Sequence, residues 1–349
     1  MDAIIREDID FILDSKVDWQ SFRNKTVLIT GAYGTLLSYV TWTLLRLNER
    51  DPSFNVTVIA LVRDTHKAAL RFGEYAAGGH LRVVQHDLTS SITISEHVDF
   101  IIHGAGYGSP QWFTRDPVAV LLPNVIGTYH LLEFARAKPV ESFLFFSSGA
   151  VYSAWPPHEV VAENEGGYLD PLDVANSYAE GKRIGETMCK CWHSQFNIPV
   201  RMVRSAHIYG PTMDINTDDR LVAAFVKDIV NGRPLTIKSD GLAKRSFCYI
   251  ADATVAYFKV LLGGAEGEAY NVGNDSAYVS VRDLAEILVV TFPELKLTIN
   301  AAPPAPDGST TSNRMLLSSK KIESLGWKCA FTIPAGVRRT VESIAARRR

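Results

Sequence analysis

Three side chains in this 349-residue chain have the types and spacing needed to remove a proton from an alcohol. Tyr178 and Lys182 stand four apart in Ser177-Tyr178-Ala179-Glu180-Gly181-Lys182, inside a pattern that predicts a helix over Ala175–Phe196. Four residues make about one helical turn, so both side chains project from one face. A free tyrosine has a pKa of about 10, so forming phenolate at neutral pH costs roughly 4 kcal/mol. A nearby ammonium lowers that cost and makes Tyr178 a usable general base. Ser148 closes the apolar run Phe145-Phe146-Ser147-Ser148. A small hydroxyl at a strand's C-terminal end lies where ligands bind in open parallel sheets. There Ser148 can hydrogen-bond a substrate oxygen and share its proton with Tyr178. The plainer alternative is a serine that caps local backbone.

A second constellation suits a phosphate-bearing cofactor. Thr30-Gly31-Ala32-Tyr33-Gly34-Thr35-Leu36-Leu37-Ser38 follows a clean strand and opens a clean helix. Glycines at such a turn let the backbone approach a dinucleotide's pyrophosphate, and the helix N-terminus stabilises its charge. Gly31, Tyr33, Gly34, Thr35 and Leu36 are the candidate contacts. The third glycine of the usual pattern is replaced by Leu37, which should widen or shift the turn. At the end of the second strand, Ala60-Leu61-Val62-Arg63-Asp64 leaves two options. Asp64 would suit the ribose hydroxyls of NAD, whereas Arg63 would suit the 2′-phosphate of NADP. Asp87, followed by Leu88 after the third strand, is either an adenine contact or an ordinary strand-end cap.

These residues need a frame, and the pattern supplies one. Strands are expected at Lys25–Thr30, Asn55–Val62, Leu81–Gln85, Val98–His103, Ser142–Ser147 and Val200–Arg204. Helices are expected at Thr35–Arg50, Pro117–Ala137 and Ala175–Phe196. This alternation predicts an α/β fold, a doubly wound parallel sheet of the Rossmann type. Residues 1–206 are read as the dinucleotide-binding domain, with an amphipathic helical extension over about 1–24. Residues 207–349 are read as mainly a smaller, partly interleaved α/β substrate lobe, with helices at Arg220–Asn231 and Val281–Thr291. About 248–262 returns to the first domain.

Composition narrows the class. With 46% hydrophobic and 21% charged residues, the chain reads as globular. A formal net charge of −2 gives no electrostatic case for nucleic acid or an anionic membrane. No run of about 18 apolar residues stands out as a membrane span, and the N-terminus carries early acids rather than an apolar signal core. Four cysteines show neither a disulfide framework nor zinc spacing, so no metal is expected. A reduced, cytoplasmic protein is the expectation. Arg347-Arg348-Arg349 reads as a frayed, solvated tail.

Taken together, the motifs resemble the extended short-chain dehydrogenase/reductases of the NAD-dependent epimerase/dehydratase family. The resemblance runs from about Lys25 to Thr340. It rests on the Gly31–Ser38 turn, on His103-Gly104-Ala105-Gly106 and on Asn124-Val125-Ile126-Gly127-Thr128. Ser147-Ser148…Val151-Tyr152, Tyr178…Lys182 and Ile208-Tyr209-Gly210-Pro211 extend it, as do Arg245-Ser246-Phe247-Cys248-Tyr249-Ile250-Ala251-Asp252, Tyr270-Asn271-Val272-Gly273 and Leu325-Gly326-Trp327. The resemblance implies NAD in contact with Gly104, Ala105, Gly106, Tyr178 and Lys182, and a nucleoside-diphosphate sugar bound between the lobes. It assigns Arg245 to the nucleotide's phosphates, with Arg314 and Arg220 as further candidates. Guanidinium groups pair with phosphate in a bidentate way, which makes these assignments physically sensible. A homodimer, packed through two helices per subunit that include the Tyr178 helix, is expected on the same analogy.

Several stretches look closest to the UDP-glucuronate decarboxylase branch, including Gly108-Ser109-Pro110 and Gly210-Pro211-Thr212-Met213. Decarboxylases and 4,6-dehydratases of this type carry an acid shortly after the catalytic hydroxyl. Here Gly149 and Ala150 stand in its place, a small-residue pair more like those of 4-epimerases and sugar ketoreductases. A second departure is His207, where UDP-sugar enzymes usually place asparagine against the substrate. The leading expectation is C4 redox chemistry by a 4-epimerase with recycled NAD. A 4-ketoreductase or 4-dehydrogenase comes next, and a decarboxylase is third. From a different class, the eroded turn at Leu37 would suit a non-catalytic dinucleotide-binding scaffold.

Overall fold

The computed structural model describes residues 1–152, 160–301 and 315–348. In chain order the strands are β1 (Thr26–Thr30), β2 (Thr57–Val62), β3 (Leu81–Gln85), β4 (Phe100–His103), β5 (Ser142–Ser148), β6 (Val160–Val161) and β7 (Val200–Ser205). They continue with β8 (His207–Tyr209), β9 (Leu235–Ile237), β10 (Lys244–Tyr249), β11 (Ala269–Val272), β12 (Tyr278–Ser280), β13 (Ile299–Ala301) and β14 (Leu316–Leu317). Seven of them form one sheet in the order β11-β7-β5-β4-β1-β2-β3, with every neighbouring pair parallel. Strands buried on both faces need apolar side chains in both directions, which Thr-Val-Leu-Ile-Thr in β1 and Ser-Phe-Leu-Phe-Phe in β5 supply. Along β5, Leu144 and Phe146 join the core on one side of the sheet, whereas Phe143 and Phe145 join the core on the other.

Helices cover both faces. On the first lie α1 (Ala3–Leu13) and α2 (Thr35–Arg50), while α3 (Thr65–Phe72) comes after β2. The predicted amphipathic N-terminal helix is α1, which buries Ile5, Ile9, Ile12 and Leu13. After β4 come α4 (Gln111–Arg115), α5 (Pro117–Leu122) and α6 (Thr128–Ala137), then α7 (Ser177–Phe196). The helix predicted over Pro117–Ala137 runs its full length, with Pro123–Gly127 widened into a π-turn between α5 and α6. Pro123 has no N–H to donate, and wide turns of this kind often mark functional positions. By length and composition alone, Pro117–Ala137 could cross a membrane, a stretch that the apolar-run criterion did not single out. In this fold 44% of its most apolar window is buried.

The rest of the chain interleaves with this frame. After α8 (Leu221–Val230), α9 (Ile250–Gly263) packs on α1, α2 and the sheet, and β11 supplies the sheet's edge strand. Outside the large sheet lie a small sheet β12-β10-β8 and the pairs β9–β13 and β6–β14, of which β8, β10 and β14 supply residues to a cleft. The last helices are α10 (Val281–Thr291), α11 (Lys320–Glu323) and α12 (Ile333–Ala346). The basic end is not frayed as far as it is described. Arg347 reaches Asp2 at 2.8 Å and the carbonyl of Pro211, and Arg348 reaches Asn231 at 3.1 Å.

Candidate active site

A cleft of about 1070 Å³ opens where the order of strands reverses, between the ends of β1 and β4 and the wall built on β8 and β10. Every sequence-predicted site residue lines it except Arg314, which lies outside the described residues.

The cofactor end is built first. After β1 the chain turns at Gly31, where the Gly34 N–H donates to the Gly31 carbonyl at 2.8 Å, and α2 starts at Thr35 with its free N–H groups facing the cleft end. Thr30 ties this turn to the next strand. Its Oγ1 lies 2.8 Å from His103 Nδ1 and accepts from the N–H groups of Gly104 and Ala105, each at 3.2 Å. His103 Nε2 lies 3.0 Å from Thr128 Oγ1 on α6. Burial, then the charge of Lys182, holds this imidazole's pKa down at about 3, so it serves as a neutral strut. Tyr33, Thr35, Leu36, Leu88 and Gly106 complete this end.

Leu37 does not disrupt the turn as expected, because Gly104 compensates for it. A side chain at Gly104 would put its Cβ 2.4 Å from Leu37 Cδ2, so the leucine fills space that glycine vacates on the neighbouring strand. The packing normally supplied by a small residue on the helix is supplied here from β4. At the end of β2, Arg63 and Asp64 separate. Arg63 lines the cleft, with its guanidinium 4.8 Å over the ring of Tyr107. Asp64 caps α3 by accepting the Lys67 N–H at 3.0 Å. Asp87 also lines the cleft but accepts the Thr89 N–H and hydroxyl, both at 2.9 Å, so its cap role is realised and those bonds pull its pKa down.

The three proton-handling groups meet in the middle. Ser148 ends β5, and Tyr178 and Lys182 come from the first turns of α7. Burial raises the Tyr178 pKa, while a hydrogen bond with the Ser148 hydroxyl and the charge of Arg220 draw it back. Lys182 is 4% exposed and donates to the Phe146 carbonyl at 2.6 Å, with Nζ 5.7 Å from the Tyr178 ring centre. Burial brings its pKa down to about 7. Phe113, which sequence reasoning missed, stacks on Tyr178 at 4.7 Å with planes 5° apart. The available signal was the aromatic-rich stretch Tyr107…Trp112-Phe113 in an otherwise polar loop.

At the substrate end, Gly149, His207, Arg220 and Arg245 face the cleft. Arg220 is already engaged, in a two-pronged ion pair with Asp218 at 2.6–3.0 Å. Arg245 has no carboxylate within ion-pair distance among the described residues, and burial pulls its pKa down. Solvent reaches His207 through the cleft, yet burial and the charges of Arg245 and Arg220 hold its pKa down at about 3. The residues fit a dinucleotide: a glycine turn, a helix N-terminus, and a β4 end where a side chain would collide. Beyond it stands a half-buried guanidinium with no carboxylate partner among the described residues, suited to an anion.

Comparison with known proteins places this geometry. UDP-glucuronic acid decarboxylase 3 of Arabidopsis thaliana is 30% identical over 319 residues, covering 90% of this chain and 87% of that protein. Human dTDP-D-glucose 4,6-dehydratase is 26% identical over 327 residues, covering 91% of this chain and 89% of that protein. The fold matches the UDP-glucose 4-epimerase of Thermotoga maritima, solved with UDP-glucose, at a TM-score of 0.78 and 21% identity, covering 93% of this chain and all of that one. A model of the family matches residues 27–273, spanning both the cofactor turn and Arg245, and the chain belongs to the NAD dependent epimerase/dehydratase family.

Proposed function

We propose that this enzyme performs oxidation and reduction at C4 of a nucleoside-diphosphate sugar, as a 4-epimerase. The observation that carries the reading is the pair of small residues directly after Ser148. These are Gly149 and Ala150, and a Cβ at Gly149 would lie 2.8 Å from Leu317 Cδ1. No carboxyl group follows Ser148 at either position, so elimination and decarboxylation lack a proton donor at the point where one would be useful. Proton exchange at one hydroxyl needs none.

When bound, the nicotinamide dinucleotide supplies hydride transfer at C4. Tyr178 removes the proton from the 4-hydroxyl, and Ser148 hydrogen-bonds the same oxygen. Lys182 and Arg220 stabilise the phenolate. Phe113 covers one face of the Tyr178 ring and keeps water from it. Arg245 holds the diphosphate, with His207 neutral beside it. In epimerisation the 4-keto sugar turns its other face before Tyr178 returns the proton. The curated relatives favour decarboxylation as a second reading, which the absence of an acid after Ser148 opposes.

The subunit pairing expected from the family fits the exposed apolar side chains Val118, Tyr129, Ile184 and Phe196 on α5, α6 and α7. Association there would also explain an apolar α5–α6 that is only partly buried.

Incubation in D₂O with a panel of nucleotide sugars tests the reaction. Expected are C4 epimers without solvent deuterium, lost by about 10²–10⁴-fold in Tyr178→Phe with cofactor binding retained. Release of CO₂ or loss of water would overturn it. Denaturation adds a check: stoichiometric dinucleotide fits internal recycling, and an empty protein fits a ketoreductase.

A further inference from the structure

The cofactor site has a cationic corner that the chemistry above does not use. We infer that the adenosine end of the cleft binds a 2′-phosphate through Arg63 and Lys67, so that this chain prefers NADP(H) to NAD(H). This rests on the assignment of the cleft to a dinucleotide and not on the identity of the sugar.

A ribose with free 2′- and 3′-hydroxyls is best held by a carboxylate at the end of the second strand. Here the candidate carboxylates are each committed to nearby backbone. Val62, the last residue of β2, is apolar and lines the cleft. Asp64 is committed to its own helix through the Lys67 N–H at 3.0 Å and does not line the cleft. Asp87 is committed to Thr89. Beside the capped Asp87, Arg63 and Lys67 bring two positive charges to the same corner. Arg63 has no carboxylate within ion-pair distance among the described residues, and Lys67, also lining the cleft, has only a loose 3.9 Å contact with Asp64.

Arg63 is also held in place. Its guanidinium lies 4.8 Å over Tyr107, which stacks on Trp112 at 4.9 Å, and Arg115 covers the far ring at 5.2 Å. A flat cation fixed against an aromatic face loses little freedom when it meets a phosphate and presents its N–H fork in a defined plane. A lysine one turn away adds a second, mobile donor. An unphosphorylated ribose offers this pair only neutral hydroxyls, whereas a 2′-phosphate offers a dianion and charge-assisted hydrogen bonds.

Calorimetry on the purified full-length protein, with any bound dinucleotide first removed, tests this without any sugar present, so its failure is read separately from that of the C4 reading. NADP⁺ is expected to bind about tenfold or more tightly than NAD⁺, and 2′,5′-ADP to bind more tightly than 5′-AMP. Arg63→Ser is expected to weaken NADP⁺ and 2′,5′-ADP by about tenfold or more while changing NAD⁺ less than about threefold. Lys67→Ala is expected to act in the same direction with a smaller effect. Equal or tighter binding of NAD⁺ by the wild type would overturn the inference, as would release of NAD from the denatured protein. Loss of both dinucleotides together in Arg63→Ser, with circular dichroism unchanged, would overturn it too and assign Arg63 to the adenine instead.

Discussion

Two places in this molecule hold charge out of bulk water, and they treat it in opposite ways. Under α1, Asp8 is 0% exposed and fully engaged: it accepts the hydroxyls of Tyr39 at 2.7 Å and Tyr249 at 2.6 Å, and Arg339 Nε at 2.8 Å. Four elements, α1, α2, β10 and α12, are pinned by one carboxylate. In the cleft, half-buried Arg245 has no carboxylate partner among the described residues. Burying a charge is tolerable only when it is paired. The knot meets that condition within the chain. The cleft leaves it unmet within the described residues, and that difference separates residues committed to the fold from residues free to meet a ligand.

The contrast can be broken by mutation. Asp8→Ala leaves Arg339 and two buried hydroxyls without an acceptor, so a loss of about 3–5 kcal/mol in unfolding free energy is expected. Activity per folded molecule should stay the same. Urea unfolding, with activity normalised to the folded fraction, checks this, and a specific loss of turnover would show that the knot also shapes the cleft. Arg245→Met should do the reverse. It removes a cation whose burial costs free energy in the empty protein, so the melting temperature should stay level or rise. Affinity for the nucleoside diphosphate that the wild type binds should fall by roughly 10–100-fold, the worth of charge-assisted hydrogen bonds of about 1.5–3 kcal/mol. A variant that melts lower without losing affinity would make Arg245 a structural residue.

The same division explains what could be read from the sequence. Local pattern carried the frame: α2, α10 and β3 begin and end where periodicity puts them. The groups Ser148, Tyr178 and Lys182 are legible because a strand end and one helical turn bring them together. Pairings set by the tertiary fold were not legible. Nothing near Asp8 announces Tyr249 or Arg339, hundreds of residues away. Leu37 looked like damage because its compensation, Gly104, sits on another strand. Asp64 and Arg63 are adjacent in sequence, and only the start of α3 decides that one becomes a cap and the other faces the cleft. The pairing of Arg220, one of the further phosphate candidates, with Asp218 was not legible because it depends on side-chain direction. The helix over Pro117–Ala137 was legible from its apolar periodicity, but the π-turn inside it at Pro123–Gly127 was not.

Asp252, on α9, is a third case and the finest test of the contrast. It is 1% exposed and accepts the Ala330 N–H at 2.9 Å and the Phe331 N–H at 3.0 Å, holding the start of the α12 segment to α9. Unlike Asp8 it has no cation within ion-pair distance among the described residues. Burial therefore wins over its two donors and pushes its pKa up to about 6. An unfolded aspartate titrates near 3.9, so the folded state holds this proton more tightly than the unfolded state does. Its contribution to stability is then complete below about pH 4 and is lost as the pH rises through about 6, amounting to roughly 1–3 kcal/mol. Asp8, whose pKa burial also raises, acts in the same direction. Melting temperatures from pH 4 to 7 should show this decline in the wild type and a flatter profile in Asp252→Asn, which cannot ionise. If the two profiles stay parallel, the two backbone donors already neutralise Asp252 as well as Arg339 neutralises Asp8, and a buried carboxylate in this fold needs no cation at all.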